Sequence, residues 1–291
     1  MVHLLSAGQL SATTIQALCL RAQAFQSGTV SHSCAGKTAV FITDRPSLRT
    51  RASFTLAVER LGGRCHNFLP SEIGLGQRES VQDIAGVLGR YYDLIIARIY
   101  APEDLVALSQ FSGVPVINAL SQTEHPAQAL SDVFTIWEHF NKPIQLQLVY
   151  VGDASNTARS LMRLCATLGW QFTLIGPEPD HFAADELVGQ AQCKTDMAYL
   201  AQADVVYTDT WVSMGQEAEV TARNARFAPY YLTATRFATT RPQTIFMNDM
   251  PIRRGIEVDD AVVDSPRSII YQQAENRIYM QMAIIEHLIN N

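Results

Sequence analysis

The sequence predicts an α/β protein of two domains, each a parallel sheet flanked by helices and linked by interdomain helices. Short apolar runs alternate with stretches of helical spacing along the whole chain. The turn Asn141-Lys142-Pro143 divides this alternation into two sets. A chain of 291 residues, 47% of them hydrophobic, is long enough to fill two cores.

A first helix is expected over residues 7–25. Strands are expected near 39–43, 64–68, 94–98 and 114–118, with helices near 48–61, 81–91 and 103–111 between them. The stretch 72–80 reads as a loop, given freedom by Gly74 and Gly76. A helix over 127–140 leads to the boundary. The second set opens with a strand over 146–151 and a helix over 157–168 that Gly169 ends. Further strands are expected at 172–175, 205–208 and 244–247, and an amphipathic helix over 273–289 closes the chain. No internal repeat or low-complexity stretch interrupts this order.

Net charge is −6, which gives no reason to expect nucleic acid as a partner. No apolar run is long enough to span a bilayer, and Met1-Val2-His3-Leu4-Leu5 lacks the charged start of a signal peptide. The five cysteines are widely spaced and form no disulfide or metal pattern, which points to a reducing, cytoplasmic setting. Cys165 falls on an apolar helical face and is expected in the core.

The segment Pro46-Ser47-Leu48-Arg49-Thr50-Arg51 lies where an apolar strand hands over to a helix. Unsatisfied backbone N–H groups and the positive end of the helix dipole make that place an anion site. Arg49 adds a planar fork suited to phosphate oxygens. The same residues also fit a Pro–Ser helix start with two solvated arginines, and alone the two readings are even.

Four segments in order resemble the aspartate/ornithine carbamoyltransferase family. Ser47-Leu48-Arg49-Thr50-Arg51 resembles its phosphate loop, in which Leu48 stands where members commonly have threonine. His125-Pro126-Ala127-Gln128 resembles its His-Pro-x-Gln motif, and Asp209-Thr210-Trp211-Val212-Ser213-Met214-Gly215 the Ser-Met-Gly loop of the ornithine branch. Ala274-Glu275-Asn276-Arg277 is similar to the segment that supplies its last arginine. The resemblance runs from about residue 41 to 285. It implies a carbamoyl phosphate-binding domain over 1–133 plus 273–291 and an acceptor-binding domain over 134–272.

Carbamoyl transfer must hold a phosphate, polarise a carbonyl, release phosphate and aim a neutral amine. Positioning and oriented charge suffice, so no metal or organic cofactor is expected. By resemblance, Ser47, the Leu48 backbone N–H, Arg49 and Thr50 hold the phosphate, while Arg98, His125 and Thr50 take the carbonyl oxygen. Gln128 would contact the carbamoyl NH2 group, and Arg277 would bind phosphate or carbonyl. Without the family, Arg98 and Arg277 read as surface charges and His125 as a polar cap. Asn156, Asp209, Ser213 and Met214 match acceptor-binding positions, although Asn156 also fits a plain helix cap. The loop after Trp211 carries no cation for a second carboxylate, which argues for a diamino acid over aspartate. Domain closure would exclude water. In this family the 72–80 loop reaches a neighbouring subunit, which implies a homotrimer with shared sites; Arg78 itself reads better as a solvated charge beside Glu79.

One element departs from the family. Where ornithine enzymes usually carry His-Cys-Leu-Pro-Arg, this chain has Asn248-Asp249-Met250-Pro251-Ile252. Met250 and Pro251 keep the turn, and Asp249 replaces the cysteine. Asp209 and Asp249 together would hold an ammonium and oppose its deprotonation. Three readings stay open: ornithine as acceptor with Asp249 turned to solvent, a different amine acceptor, and a non-catalytic carbamoyl phosphate-binding protein. A dinucleotide site after the strand 146–151 is disfavoured, because Ala154 and Thr157 occupy glycine positions of its fingerprint.

Overall fold

The apolar run Thr38–Thr43 forms β1, an inner strand of the first sheet, with five of its six residues buried. The structure is a computed structural model that describes residues 2–76, 78–212 and 216–290. The chain folds as two units, Met1–Glu138 with Glu275–Asn291, and His139–Ala274.

In the first unit, β1 is joined by β2 (Arg64–Phe68), β3 (Leu94–Arg98) and β4 (Val116–Leu120) in a parallel sheet of order β2-β1-β3-β4. Its helices are α1 (Ala12–Gln26), α2 (Arg49–Arg60), the short α3 (Pro70–Ile73), α4 (Val81–Tyr91), α5 (Pro102–Phe111) and α6 (Pro126–His139). Val40, Ile42, Ile95, Ala97 and Val116 of the sheet pack with Ala85, Leu105 and Leu108. After β2 the chain returns to the other side of β1, so the strand order reverses between β1 and β3. In open α/β sheets the carboxyl ends at such a reversal form the ligand crevice.

Several elements differ from the sequence expectation, among them α3, which runs into the start of the expected 72–80 loop. The first helix is broken: Ala7–Gln9 is a separate 3-10 turn closed by a Ser6–Gln9 capping box, and Ser11 caps α1 afresh. Strand β4 starts two residues late, because the Ser112 hydroxyl takes the Val114 backbone and Pro115 has no N–H for the ladder.

The second unit holds β5 (Gln147–Val151), β6 (Gln171–Ile175), β7 (Gln190–Lys194), β8 (Val205–Thr208) and β9 (Ile245–Asn248), parallel in the order β7-β6-β5-β8-β9. Its helices are α7 (Asn156–Leu168), α8 (Val220–Phe227), α9 (Ala234–Ala238) and α10 (Asp260–Val263), and α11 (Ile270–Ile289) begins in it and continues into the first unit. Gly169 ends α7 at φ 75°, a conformation that glycine adopts without penalty. Strand β7 is unforeseen by the sequence: Gln-Ala-Gln-Cys-Lys is a polar edge strand with no buried residue, so no apolar run marks it. Here the order reverses between β5 and β8. Cys165 lies in the core of α7, and all five cysteines are free thiols. Among the described residues no helix is long and apolar enough to cross a membrane.

Candidate functional site

In the first unit, α2 begins directly after the turn that leaves β1, and its N-cap residue Leu48 makes no side-chain cap. The first-turn N–H groups of a helix have no intrahelical partner. Leu48 is exposed, and Ser47 and Arg49 are half-buried beside it. One residue on, Thr50 is only 2% exposed. Arg98 ends β3, in register with Thr43 of β1, where the β3–β4 ladder shifts between Ala97 and Arg98.

Thr50 is the hub of this crevice. Its Oγ1 accepts from Arg98 Nη1 at 3.2 Å and from Arg277 Nη2 at 2.8 Å. Two guanidinium bonds occupy the lone pairs of the hydroxyl, which leaves its proton to be donated elsewhere. Arg277 is buried on α11. His125 is buried in the residue before α6, and burial, then the charges of Arg277 and Arg98, hold its imidazole well below its ordinary pKa. The ring is therefore neutral at pH 7, a hydrogen-bonding group and not a third cation. Gln128 donates Nε2 to Asp132 Oδ1 at 2.9 Å, and its buried Oε1 has no partner among the described residues. The crevice thus offers two guanidiniums, a hydroxyl proton, a neutral imidazole and one amide oxygen that accepts. That set fits an anion bearing both a carbonyl and an NH2 group.

The acceptor-side candidates lie in the second unit. Ser155, not Asn156, caps α7, its Oγ accepting from the Ala158 N–H at 3.1 Å; Asn156 is the first helical residue and half-buried. Asp209 follows β8 and is 8% exposed. Its Oδ2 accepts from the Tyr150 hydroxyl at 2.7 Å and the Ser155 hydroxyl at 3.3 Å, and its Oδ1 from the Thr210 N–H at 2.7 Å. Asp249 is not turned to solvent. It is half-buried, and its Oδ2 accepts from the Thr157 hydroxyl at 3.1 Å.

The register places the two aspartates at neighbouring strand ends. Parallel strands β8 and β9 align Thr208 with Asn248, so the next residues, Asp209 and Asp249, leave the sheet side by side. The Asn248 side chain donates to the Thr208 carbonyl and hydroxyl at 2.8 and 3.0 Å, which fixes the alignment. Burial raises Asp209 above the ordinary carboxylate range, against the hydrogen bonds from Tyr150, Thr210 and Ser155. Met250 sits at φ 55°, its N–H held by Asn248 Oδ1 at 2.7 Å, before a cis bond to Pro251. Ser213 and Met214 lie outside the described residues.

Sequence reasoning missed Arg223, on α8, which is 3% exposed. It reaches Asp153 Oδ2 at 2.5 Å, Asp180 Oδ1 at 3.0 Å and the Trp211 carbonyl at 2.5 Å. One fork thereby ties the turn after β5 to the loop after β8. A lone arginine in Val-Thr-Ala-Arg-Asn gives no sequence signal of such a role. Tyr150 and Glu257 were missed as well, the first hidden in an apolar strand run. Burial raises Glu257 to about 7, with Asp209's charge adding to the rise.

Comparison with known proteins agrees with this layout. Residues 2–138 match the carbamoyl-P binding domain of aspartate/ornithine carbamoyltransferase, and residues 145–288 match its Asp/Orn binding domain. The chain is 42% identical over 261 residues to an ornithine carbamoyltransferase of Methanopyrus kandleri, covering 86% of this chain and 83% of that one. Against the Shewanella oneidensis ornithine carbamoyltransferase it is 37% identical over 297 residues, 98% of each chain. The solved ornithine carbamoyltransferase from Pyrococcus furiosus superposes with a TM-score of 0.93 at 36% identity, covering 99% of this chain and 97% of that one. The chain belongs to the aspartate/ornithine carbamoyltransferase family.

Proposed function

We propose that this protein transfers the carbamoyl group of carbamoyl phosphate to the side-chain amine of ornithine, giving citrulline and phosphate. The observation that carries the reading is Thr50 Oγ1 held between Arg98 and Arg277 beside the uncapped start of α2. Ser47, the Leu48 N–H, Arg49 and Thr50 hold the phosphate, and Arg277 adds charge to it. Arg98, neutral His125 and the Thr50 proton face the carbonyl oxygen, where negative charge grows as the amine adds. Gln128 Oε1 accepts from the carbamoyl NH2 group. The nitrogen forms a bond to the carbonyl carbon, the carbon–oxygen bond to phosphate breaks, the electron pair leaves with phosphate, and the amine loses one proton. Asn156, Asp209, Ser213, Met214, Asp249 and Met250 receive the acceptor. The names of the relatives support ornithine as that acceptor.

A second reading, an amine acceptor other than ornithine, is favoured by Asp249 following β9 where Asp209 follows the neighbouring strand β8. A homotrimer acting in the cytoplasm, with sites shared between subunits, completes the proposal. Its support in the first unit is that β2 is an edge strand and Leu69, Val87 and Tyr91 are exposed. Light scattering on the purified protein tests the trimer. A colorimetric citrulline assay with carbamoyl phosphate and ornithine, lysine, putrescine, acetylornithine or aspartate tests the reaction. Turnover with ornithine above the others is expected. Turnover confined to another amine selects the second reading, and none with any amine overturns both.

A further inference from the structure

Glu124 stands one residue before His125 and is only 5% exposed. Its carboxyl is taken by the N-terminal segment: Oε1 accepts from the Ser6 hydroxyl at 2.6 Å and Oε2 from the Ala7 N–H at 2.8 Å. We propose that Glu124 and Ser6 are positioning residues for the reaction, a strap from the N-terminal segment that fixes where the His125 imidazole stands. This rests on reading His125 as a group that faces the carbonyl oxygen.

The strap is itself anchored. Leu4 forms a parallel bridge with Ile117 of β4, its N–H donating to the Val116 carbonyl at 3.0 Å and its carbonyl accepting from the Asn118 N–H at 2.8 Å. Asn118 Nδ2 donates to the Leu5 carbonyl at 2.9 Å. The Gln9 side chain accepts from the Leu5 and Ser6 N–H groups, both at 3.0 Å, and Ser6 Oγ accepts from the Gly8 N–H at 3.1 Å. Ser6 therefore presents its hydroxyl proton to Glu124 from a fixed backbone.

The receiving turn is held as firmly. The Ser121 N–H donates to the Glu124 carbonyl at 2.8 Å, and its hydroxyl accepts from the Glu124 N–H at 3.2 Å. The Gln122 N–H donates to the Tyr100 carbonyl at 2.8 Å, two residues beyond Arg98. On the other side of His125, its carbonyl accepts from the Ala129 N–H at 3.1 Å, a helical bond at the start of α6. His125 is thus the joint between a turn and a helix. Ser121 closes the turn through the Glu124 backbone alone, so closure needs no acid, and sinking a carboxyl costs free energy unless hydrogen bonds compensate it. The Glu124 side chain has a different use: it couples the residue before His125 to residues 6 and 7. Charge growing on a carbonyl oxygen is stabilised by donors already in place, and a displacement of about 1 Å can cost on the order of 10²-fold in rate.

Steady-state kinetics of Ser6→Ala, Glu124→Ala and Glu124→Gln with carbamoyl phosphate and ornithine, beside thermal unfolding of each, test the strap. Glu124→Ala should lower kcat by about 10- to 100-fold and leave KM for ornithine unchanged, because a misplaced imidazole fails the transition state and not acceptor binding. Glu124→Gln keeps the shape and an accepting oxygen and should restore most of kcat. Ser6→Ala should lower kcat several-fold, and it carries the test if Glu124→Ala does not fold. In protein labelled with nitrogen-15 at histidine, the His125 ring signals, assigned by their absence in His125→Asn, should shift in Glu124→Ala and Ser6→Ala while both remain folded. Lowered melting temperatures with unchanged kcat or unshifted His125 signals assign Glu124 to stability alone and overturn the inference, as does a Glu124→Gln protein as slow as Glu124→Ala. His125→Asn separates the two levels. Loss of kcat there, with none in Glu124→Ala and Ser6→Ala, overturns the strap and leaves the reaction reading standing. Unchanged kcat in His125→Asn, or no turnover by the unaltered protein, overturns the reading on which the strap rests.

Discussion

Arg277 donates to Thr50 across 227 residues of sequence, at 2.8 Å, and Arg98 donates to the same oxygen. A single hydroxyl therefore aligns a buried guanidinium, Arg277, and a half-buried one, Arg98, from different elements, and Thr50→Val removes it without changing side-chain shape. Steady-state kinetics should show kcat/KM for carbamoyl phosphate lowered by about 10²–10³. Thr50→Ser should retain most of the activity. Equal kinetics for Thr50→Val and the unaltered protein would show that the hydroxyl does not serve the reaction.

Arg223 neutralises a place where Asp153 and Asp180 meet inside the second unit. Arg223→Met leaves Asp153 without its fork, leaves Asp180 with Arg226 alone, and frees the Trp211 carbonyl. Breaking a buried ion pair from one side costs about 3–5 kcal/mol, so urea unfolding should show a loss of that size. The pH at which stability is best should also move down, since Asp153, already raised by burial to about 7, loses the arginine that opposes the rise.

Glu257 makes stability depend on pH with a definite direction. Burial raises its pKa from 4.5 to about 7, so the folded state binds more protons than the unfolded state between those values. Stability from this group is complete below about 4.5 and declines as pH rises to about 7, by on the order of 3 kcal/mol. Glu257→Gln should remove that decline. Thermal unfolding of both proteins at pH 5 and pH 8 measures it, and parallel pH trends would refute it.

Two glycines of α4 should respond in opposite senses. A Cβ on Gly89 would lie 1.6 Å from the Ser112 carbonyl oxygen, whereas one on Gly86 meets only an Arg90 nitrogen at 3.8 Å. Gly89→Ala forces α4 off α5 and should cost about 3 kcal/mol or more. Gly86→Ala should stabilise by about 0.5–1 kcal/mol through helix propensity. Differential scanning calorimetry separates the two.

The sequence read most clearly where apolar runs coincide with single elements. Strands β1, β3, β5 and β8 are buried along nearly their whole length, and each stands out as Val/Ile/Leu-rich text. The strand-to-helix junction at Ser47–Thr50 and the helix start at His125–Gln128 were legible because such junctions keep their neighbours in sequence. Strand β7 was not legible, since an edge strand pairs through its backbone and its residues Gln190–Lys194 need no apolar pattern. The break between Ala7–Gln9 and α1 was hidden because a polar capping box overrides helical spacing.

By itself the sequence determined the class of the protein, its two sheets, the strand-to-helix junction at Ser47–Thr50 and the presence of two acidic residues, Asp209 and Asp249. Only the tertiary structure decided what those residues touch. Strand register is set by ladders formed between distant segments, and the pairing of Thr208 with Asn248 is what makes Asp209 and Asp249 leave neighbouring strands at the same level. Arg223 acquires its role the same way, because its partners Asp153, Asp180 and Trp211 lie far from it in the chain. Side-chain identity is local, but the field that fixes a proton or orders a guanidinium is summed over neighbours that folding assembles.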